Sequence, residues 1–494
     1  MDFAKALKNE SAKTYTENGA QALNTTGNAV LDLFGTIGAL RNAEENRITT
    51  KFAEAYNQSP LLATKCLFYA RDVRGGLGER HVFRTILKFA ANHFQESLRK
   101  NLFLIPEYGR WDDMYALIGT PLEEDMWKVV KTQLNADIIN MAAKLPVSLM
   151  AKWLKTPDAS SKETRKLGRI TARALNMETK AYKNRLRTLR KYLKITEVSM
   201  SANKWTEIDY PSVPSRASMI YRNAFKRHDE DRYNGFLEKV TKGEAKINAA
   251  TLYPYDIIES YLKQQRYGYS YSFSNMEENA TLEAQWNALP NYVEEGTNAI
   301  VIADTSGSMV GRPMNSAVGL AIYFAERNTG AYHNLWMSFS EDSKVQKLRG
   351  KTLAQKLGSI DTFNWGCNTD LAKAFRHILK IAIDNNVKPE EMVKSIIVIS
   401  DMEIDSCAGR SWTFYDKMMD EYAEHGYTIP NVIFWNVDSR HDVFHADAKR
   451  KGVQLCSGQS TSTFKALMGC IGSTPVEMML KVLNSERYAP VTIA

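Results

Sequence analysis

Long hydrophobic runs are missing from this chain of 494 residues. No apolar stretch reaches the roughly 20 residues that a membrane-spanning helix needs. The opening Met-Asp-Phe-Ala-Lys-Ala-Leu-Lys-Asn-Glu has no secretory apolar core. Cysteine is scarce: Cys66, Cys367, Cys407, Cys456 and Cys470 are odd in number, scattered, and form no C-x-x-C pair. That usage argues against a disulfide framework or a structural zinc and for a reducing compartment. Low-complexity tracts are absent, and so is a Walker loop. The nearest segment, Arg74-Gly75-Gly76-Leu77-Gly78-Glu79-Arg80, lacks the Lys-Ser/Thr pair and follows no strand. It reads as the turn that ends a helix, although Arg71, Arg74 and Arg80 could still face an anion. These absences predict a soluble cytoplasmic protein with no membrane partner. Its 44% hydrophobic and 24% charged residues are those of an ordinary globular chain.

What is present is unevenly distributed. The net charge is +8, but residues 1–290 carry 43 Lys and Arg against 33 Asp and Glu, while residues 291–494 carry 21 against 23. Residues 151–200 alone hold 14 basic and 4 acidic residues. The candidate polyanion contacts are Lys162, Arg165, Lys166, Arg169, Arg173, Lys180, Lys183, Arg187, Arg190 and Lys191. A basic run is commonly a solvated helix face. Here the balancing acids are missing, so polyanion binding stands beside that reading. The interleaved Trp153, Tyr182 and Tyr192 read either as base-stacking platforms or as core residues.

The length allows two to four domains. Residues 1–30, polar and rich in Asn, Thr and Ala, read as a mobile lead-in, with order beginning at Asn28. From there to about residue 275 the apolar spacing is helical. Ser59-Pro60 opens one helix. Phe83, Ile86, Leu87, Ala90 and Phe94 share the face of another. Thr120-Pro121 before Glu123, Glu124 and Asp125 places acids at the positive end of a helix dipole. Ser160-x-x-Glu163 has the form of a capping box, and helices are expected over 180–194, 223–242 and 254–265. Many such helices with short turns predict an all-α domain of stacked helix pairs, a solenoid, over residues 1–290.

Past residue 290 the pattern alternates. Strands are expected at 298–303, 334–339, 395–400, 431–437 and 453–456, and helices at 313–328, 369–384, 411–425 and 461–470. This is a doubly wound α/β domain over 291–494, its parallel sheet covered on both faces. Pro475–Ser485 is expected as a last helix docking on the first domain.

The first of these strands runs into Asp304-Thr305-Ser306-Gly307-Ser308, and the strand Ser395–Ser400 ends on Asp401. A carboxylate and two hydroxyls at alternate positions suit a hard cation such as Mg²⁺. The C-terminal edge of an open α/β sheet is where ligands bind. Ser306 and Ser308 also read as N-caps of the next helix, and the two readings are compatible because the loop and the helix start coincide.

The order Asp-x-Ser-x-Ser, then a loop Thr, then a strand-end Asp resembles the von Willebrand factor A (vWA) family and its metal-ion-dependent adhesion site. The resemblance implies that Asp304, Ser306, Ser308, Thr369 and Asp401 ring Mg²⁺ or another divalent cation, leaving one coordination position open for a partner's acidic group. A helical domain joined to a vWA domain is similar to the TROVE-domain (Ro ribonucleoprotein) proteins. Ala70-Arg71-Asp72-Val73-Arg74-Gly75-Gly76 and Ile105-Pro106-Glu107-Tyr108-Gly109-Arg110-Trp111-Asp112-Asp113 also resemble a family of vWA proteins found in bacteria, phages, plants and large viruses. The likeness to Ro implies a ring of HEAT-like helical repeats that binds single-stranded or small structured RNA.

The remaining constellations carry less. His441-x-x-x-His445 with Cys456 is weak as a zinc set and reads as a surface turn. Glu403 and Asp405 read either as groups that tune the metal site or as a solvated loop. Cys367 and Cys407 read as small buried residues. One metal, with no base or nucleophile beside it, predicts a protein that is not an enzyme. The leading expectation is an RNA-binding scaffold. The rival is an assembly module whose metal captures an acidic residue of a protein partner.

Overall fold

The computed structural model describes residues 7, 10–262, 273, 276–339, 343–360, 365, 370–406 and 414–494. Its longer helices have eight residues or more. The first part holds α1 (Ala29–Thr36), α2 (Glu45–Gln58), α3 (Pro60–Arg71), α4 (His81–His93), α5 (Glu123–Ala142) and α6 (Lys162–Ala174). It continues with α7 (Thr179–Tyr192), α8 (Ser215–His228), α9 (Glu230–Thr241), α10 (Pro254–Leu262) and α11 (Ala280–Asn287). Local chemistry explains their ends. Asn28 caps α1, its side chain accepting from the Leu31 amide at 3.0 Å. α3 stops at Arg71 because the amides of Leu77, Gly78 and Glu79 fold back onto the carbonyls of Tyr69, Asp72 and Ala70. Gly76 is obligatory in that turn: a Cβ there would lie 2.1 Å from the Tyr69 carbonyl oxygen. The glycine-rich segment is thus a helix-ending turn. Two details depart from expectation. The cap of α6 is Ser161, which accepts from the Thr164 amide, and the run 223–242 breaks at Asp229 between α8 and α9.

The expected lead-in contains an antiparallel hairpin, β1 (Lys13–Tyr15) and β2 (Gln21–Leu23). A two-stranded hairpin is marginal alone. This one is held by loops some 400 residues on: Leu23 and Phe444 exchange amide–carbonyl bonds of 2.9 and 2.8 Å, and Gly19 bridges Asp405. Ala20 and Ala22 are buried beneath it. No local pattern could announce such a partner.

The second part carries a six-stranded sheet of β3 (Ala299–Asp304), β4 (Leu335–Phe339), β5 (Lys344–Lys347), β6 (Ser395–Ser400), β7 (Asn431–Asn436) and β8 (Val453–Ser457), in the order β5-β4-β3-β6-β7-β8. All neighbours are parallel except β5, which runs antiparallel to β4. β5 was not expected: it is a short, half-exposed edge strand with a lysine at each end, a usual edge device. The helices are α12 (Arg312–Arg327), α13 (Leu371–Asp384), α14 (Phe414–Glu424) and α15 (Pro475–Leu483). β3, β6 and β8 are buried at every position, which accounts for their unbroken apolar runs. α12 packs on β3, β4 and β6, and α1 on β7 and β8.

One apolar core runs through both parts, and a second small cluster lies around Tyr210, Phe225 and Tyr233. α15 packs against α1, α3 and β8, as expected for a helix that docks back. Among the described residues no helix is long and apolar enough to cross a membrane. The tightest join is backbone on backbone. A Cβ on Gly38 would lie 2.7 Å from Cα of Gly458, itself at φ +98°. Gly35, one turn earlier, has room, since its Cβ would make ordinary 3.6 Å contacts. Gly38→Ala should therefore destabilise the protein by about 1–3 kcal/mol through overpacking. Gly35→Ala should be neutral or slightly stabilising, because alanine is the better helix former. Thermal or urea unfolding of the two variants checks the contrast.

Candidate metal centre and basic surface

The strand order reverses at β3, because β4 lies on one side of it and β6 on the other. Two neighbouring loops leave the sheet there at the same level, Ala303 being in register with Ile399. That crevice is the ligand position of doubly wound sheets. Asp304 and Asp401, 97 positions apart in the sequence, meet in it. The Ser400 hydroxyl donates to Asp304 Oδ2 at 2.6 Å and lies 3.5 Å from Asp401 Oδ1.

Local bonds shape both loops. The Ser306 amide donates to Asp304 Oδ1 at 2.9 Å, and the Thr305 amide to the Phe339 carbonyl at 3.0 Å. The two serine hydroxyls lie 3.1 Å apart, and Ser308 Oγ donates to Asp401 Oδ2 at 2.9 Å. Neither serine caps α12, which starts at Arg312 behind Gly311 at φ +98°. On the second loop Met402 has φ +69°, a conformation rare for a side chain of its size. There the Glu403 amide donates to Asp401 Oδ1 at 3.1 Å.

Four of the five expected metal ligands, Asp304, Ser306, Ser308 and Asp401, therefore share one site. Thr369 lies outside the described residues, as do Cys367 and Cys407. Asp370 caps α13 by accepting from the Lys373 amide at 3.0 Å. Asp304 and Asp401 are buried, whereas Ser308 is exposed at the mouth of the site. Burial, and then the neighbouring Asp401 carboxylate, push the Asp304 carboxyl well above the usual range despite hydrogen bonds from Ser306 and Ser400. Two adjacent buried carboxylates fringed by hydroxyls are a donor set that fits a hard divalent cation.

Sequence reasoning missed the site's outer wall. Arg440 Nη2 pairs with Asp401 Oδ2 at 2.8 Å, and its Nη1 pairs with Glu17 of the hairpin at 2.7 Å. The Glu17 amide donates to Glu403 Oε2 at 2.6 Å, and His441 Nδ1 lies 3.0 Å from Glu403 Oε1. Glu403 is thus a buried anchor for the hairpin, and Asp405 contributes the strand-like bridge to Gly19. Glu17, Glu403 and His441 form a compact acid–imidazole group beside the first site. His445 faces elsewhere: it is buried, bonds the Met402 carbonyl, and has its pKa pushed down to about 4 by burial. The two histidines therefore serve different partners.

The basic segment forms α6 and α7. Lys162, Lys166, Arg169 and Arg173 are exposed and recur at helical spacing on one side of α6. Lys180, Arg187 and Lys191 are likewise exposed at helical spacing on α7, in line with half-buried Lys183, which pairs with Asp158 at 2.7 Å. Arg165 and Arg190 are occupied structurally. Arg165 donates to the carbonyls of Ala159 and Ser160, and Arg190 to those of Ala151 and Leu154. Of the aromatics, Tyr182 is core, its hydroxyl donating to the Lys155 carbonyl. Tyr192 is exposed and donates to the Leu145 carbonyl, and half-buried Trp153 lies beneath Arg110.

Glu403→Ala removes the acceptor of the Glu17 amide and the partner of His441, a loss of about 1–3 kcal/mol. Amide exchange and proteolysis over residues 13–23 should then rise several-fold, with α5 unchanged. Equal protection of the hairpin in both forms would count against its anchoring by Glu403.

Known proteins share this sequence along most of its length. Residues 16–137 and 145–297 match the family described as "Domain of unknown function (DUF2828)". Residues 298–487 match "Domain of unknown function (DUF7788)". The chain is similar to "Uncharacterized protein L728" of Acanthamoeba polyphaga mimivirus, 27% identical over 522 residues that span 97% of this chain and 89% of the relative. Since the first model matches more than half of its residues, the protein belongs to the DUF2828 family.

Proposed function

We propose that this protein is a non-enzymatic RNA-binding scaffold whose α/β part is a vWA-type module carrying Mg²⁺ or another divalent cation. The observation that carries the RNA reading is the pair of exposed basic stripes on α6 and α7, within a segment of 14 cations and 4 acids. Such a surface attracts a phosphate backbone without needing particular bases. The vWA reading is supported by the reversal of strand order at β3 and by the meeting of Asp304, Ser306, Ser308 and Asp401 at that point. The TROVE-like reading, with HEAT-like stacking of the helical part, is supported by packed successive helices such as α2 with α3 and α8 with α9. Asp304, Ser306, Ser308 and Asp401 would hold the cation. When bound, the cation supplies positive charge that offsets the two buried carboxylates and can anchor an acidic group.

A second reading is favoured by the exposure of Ser308 at the site's mouth and by Glu17, which approaches it through Arg440. In this reading the centre captures an acidic residue of a protein partner, and Glu17 marks the side from which acids approach.

Two measurements test these readings. Binding of single-stranded RNA should weaken steeply with salt. Changing Lys162, Lys166, Arg169 and Arg173 together to Gln should lower the slope of log K against log salt by about 0.7 for each phosphate no longer neutralised. Absence of RNA binding at low salt would remove the reading. Mg²⁺ or Mn²⁺ should raise the unfolding midpoint, by about 2.7 kcal/mol of stability at 100 times Kd. Asp304→Asn should abolish that rise while stabilising the metal-free protein, because it removes a buried charge beside Asp401. A midpoint indifferent to both metals would sink the metal site.

A further inference from the structure

A cluster of cations surrounds the turn that opens the short helix Trp111–Leu117. Arg71, Arg80, Arg84, Arg110 and Lys155 gather there around two carboxylates, Asp112 and Asp113. Asp113 is fully buried and saturated. It accepts from Arg71 Nε at 2.8 Å, from Arg84 Nε at 2.7 Å and from the Arg110 amide at 2.9 Å. Asp112 faces Arg84 Nη2 at 3.1 Å and Lys155 Nζ at 3.6 Å. Arg80 and Arg110 are left over: among the described residues neither makes an ion pair. The Arg110 guanidinium lies 4.4 Å from the centre of the Trp153 ring, which holds it without neutralising it.

The imbalance has physical consequences. Burial, and then repulsion from Arg80 and Arg71, push the Arg110 guanidinium down to about 10. Desolvation by the protein packed around it, and then Arg71 and Arg84, lower that of Arg80, although its side chain still reaches solvent. One buried donor, Arg71 Nη2, has no hydrogen-bond acceptor among the described residues, whereas Arg84 Nη2 meets Asp112 as an ion pair. Arg71 is 1% exposed. An unpaired buried donor is destabilising, and five cations against two carboxylates leave room for a dianion. The neighbouring cleft of about 700 Å³ is a different matter. It is lined by Arg84, Lys88 and Lys155 together with Glu45, Asp112 and Glu163, and by neither Arg80 nor Arg110.

We propose that Arg80, Arg84 and Arg110 form a phosphate-binding site, with Lys155 as an outer cation and Trp153 positioning Arg110. Forked guanidinium donors match tetrahedral oxyanions and bind them bidentately. The site adjoins the basic stripe of α7: Arg190 of that helix donates to the carbonyls of Ala151 and Leu154, which flank Trp153. A phosphate of an RNA strand lying along α6 and α7, or a free phosphate ester, has the same chemistry. The site rests on the RNA reading only for the first of these sources.

Inorganic pyrophosphate and a 12-nucleotide single-stranded RNA are the probes, each titrated at low salt into three proteins. These are the wild type, Arg80→Gln with Arg110→Gln, and Lys162→Gln with Lys166→Gln and Arg169→Gln. Pyrophosphate should bind the wild type and the α6 variant alike, and at least tenfold more weakly to the double arginine variant. RNA should be weakened in both variants. If the α6 and arginine variants differ this way for pyrophosphate while no form binds RNA, the RNA reading falls and the site serves a free phosphate ester. Pyrophosphate that fails to bind the wild type, or binds the arginine variant equally well, overturns the site whatever RNA does. Arg80→Gln alone, at an exposed side chain, gives the same contrast if the double variant does not fold.

Discussion

Two carboxylates buried side by side, Asp304 and Asp401, are the constraint around which the α/β half is arranged. Burying one such charge is costly, and burying two together is more so unless a cation or several donors attend them. Everything at that edge answers this requirement. Ser400 donates to Asp304, and Ser308 and Arg440 both donate to Asp401 Oδ2. Met402 accepts an unusual backbone conformation so that the Glu403 amide can donate as well. The hairpin enters through the same requirement, because Glu17 takes the other arm of the Arg440 fork.

The helical and sheet parts are tied by specific contacts over and above their shared core. Asp72, fully buried, accepts from Arg487 Nε and Nη2, each at 2.9 Å, and from the Tyr488 hydroxyl at 3.2 Å. The last residues run on to bond Asn101, whose amide side chain donates to the Thr492 carbonyl at 2.6 Å. At the sheet edge Arg312, in the first turn of α12, and Arg41 both donate to Gln459 Oε1. The loop that carries Ser306 and Ser308 is thus fastened, through α12, to the helical part.

The charge pattern separates the two proposed functions in space. The sheet edge gathers acids and hydroxyls, whereas α6, α7 and the arginine cluster gather cations. On the proposed readings one surface would hold a cation and the other an anion, so neither would compete for the other's ligand. In the arginine cluster the fold keeps its strongest ion pairs internal, with Arg71 and Arg84 on Asp113, and leaves Arg80 and Arg110 to the outside.

Much was legible from the residues alone. Unbroken apolar runs such as Ser395-Ile396-Ile397-Val398-Ile399-Ser400 specify strands covered on both faces, and alternation with helices specifies a parallel sheet; the observed β3, β4, β6, β7 and β8 lie within two residues of expectation. Strand-end acids were readable because a parallel sheet aligns the ends of its strands. Hidden were β5, too short and polar to stand out, and the hairpin of residues 13–23, whose bonding partners are remote. Which of the basic residues would be spent on backbone carbonyls, as Arg165 and Arg190 are, was also invisible. Pattern and composition depend on near neighbours and so determined the elements and their class. Pairings such as Arg440 with Glu17, or Gly38 against Gly458, depend on how distant segments close in space, and only the tertiary structure decided them.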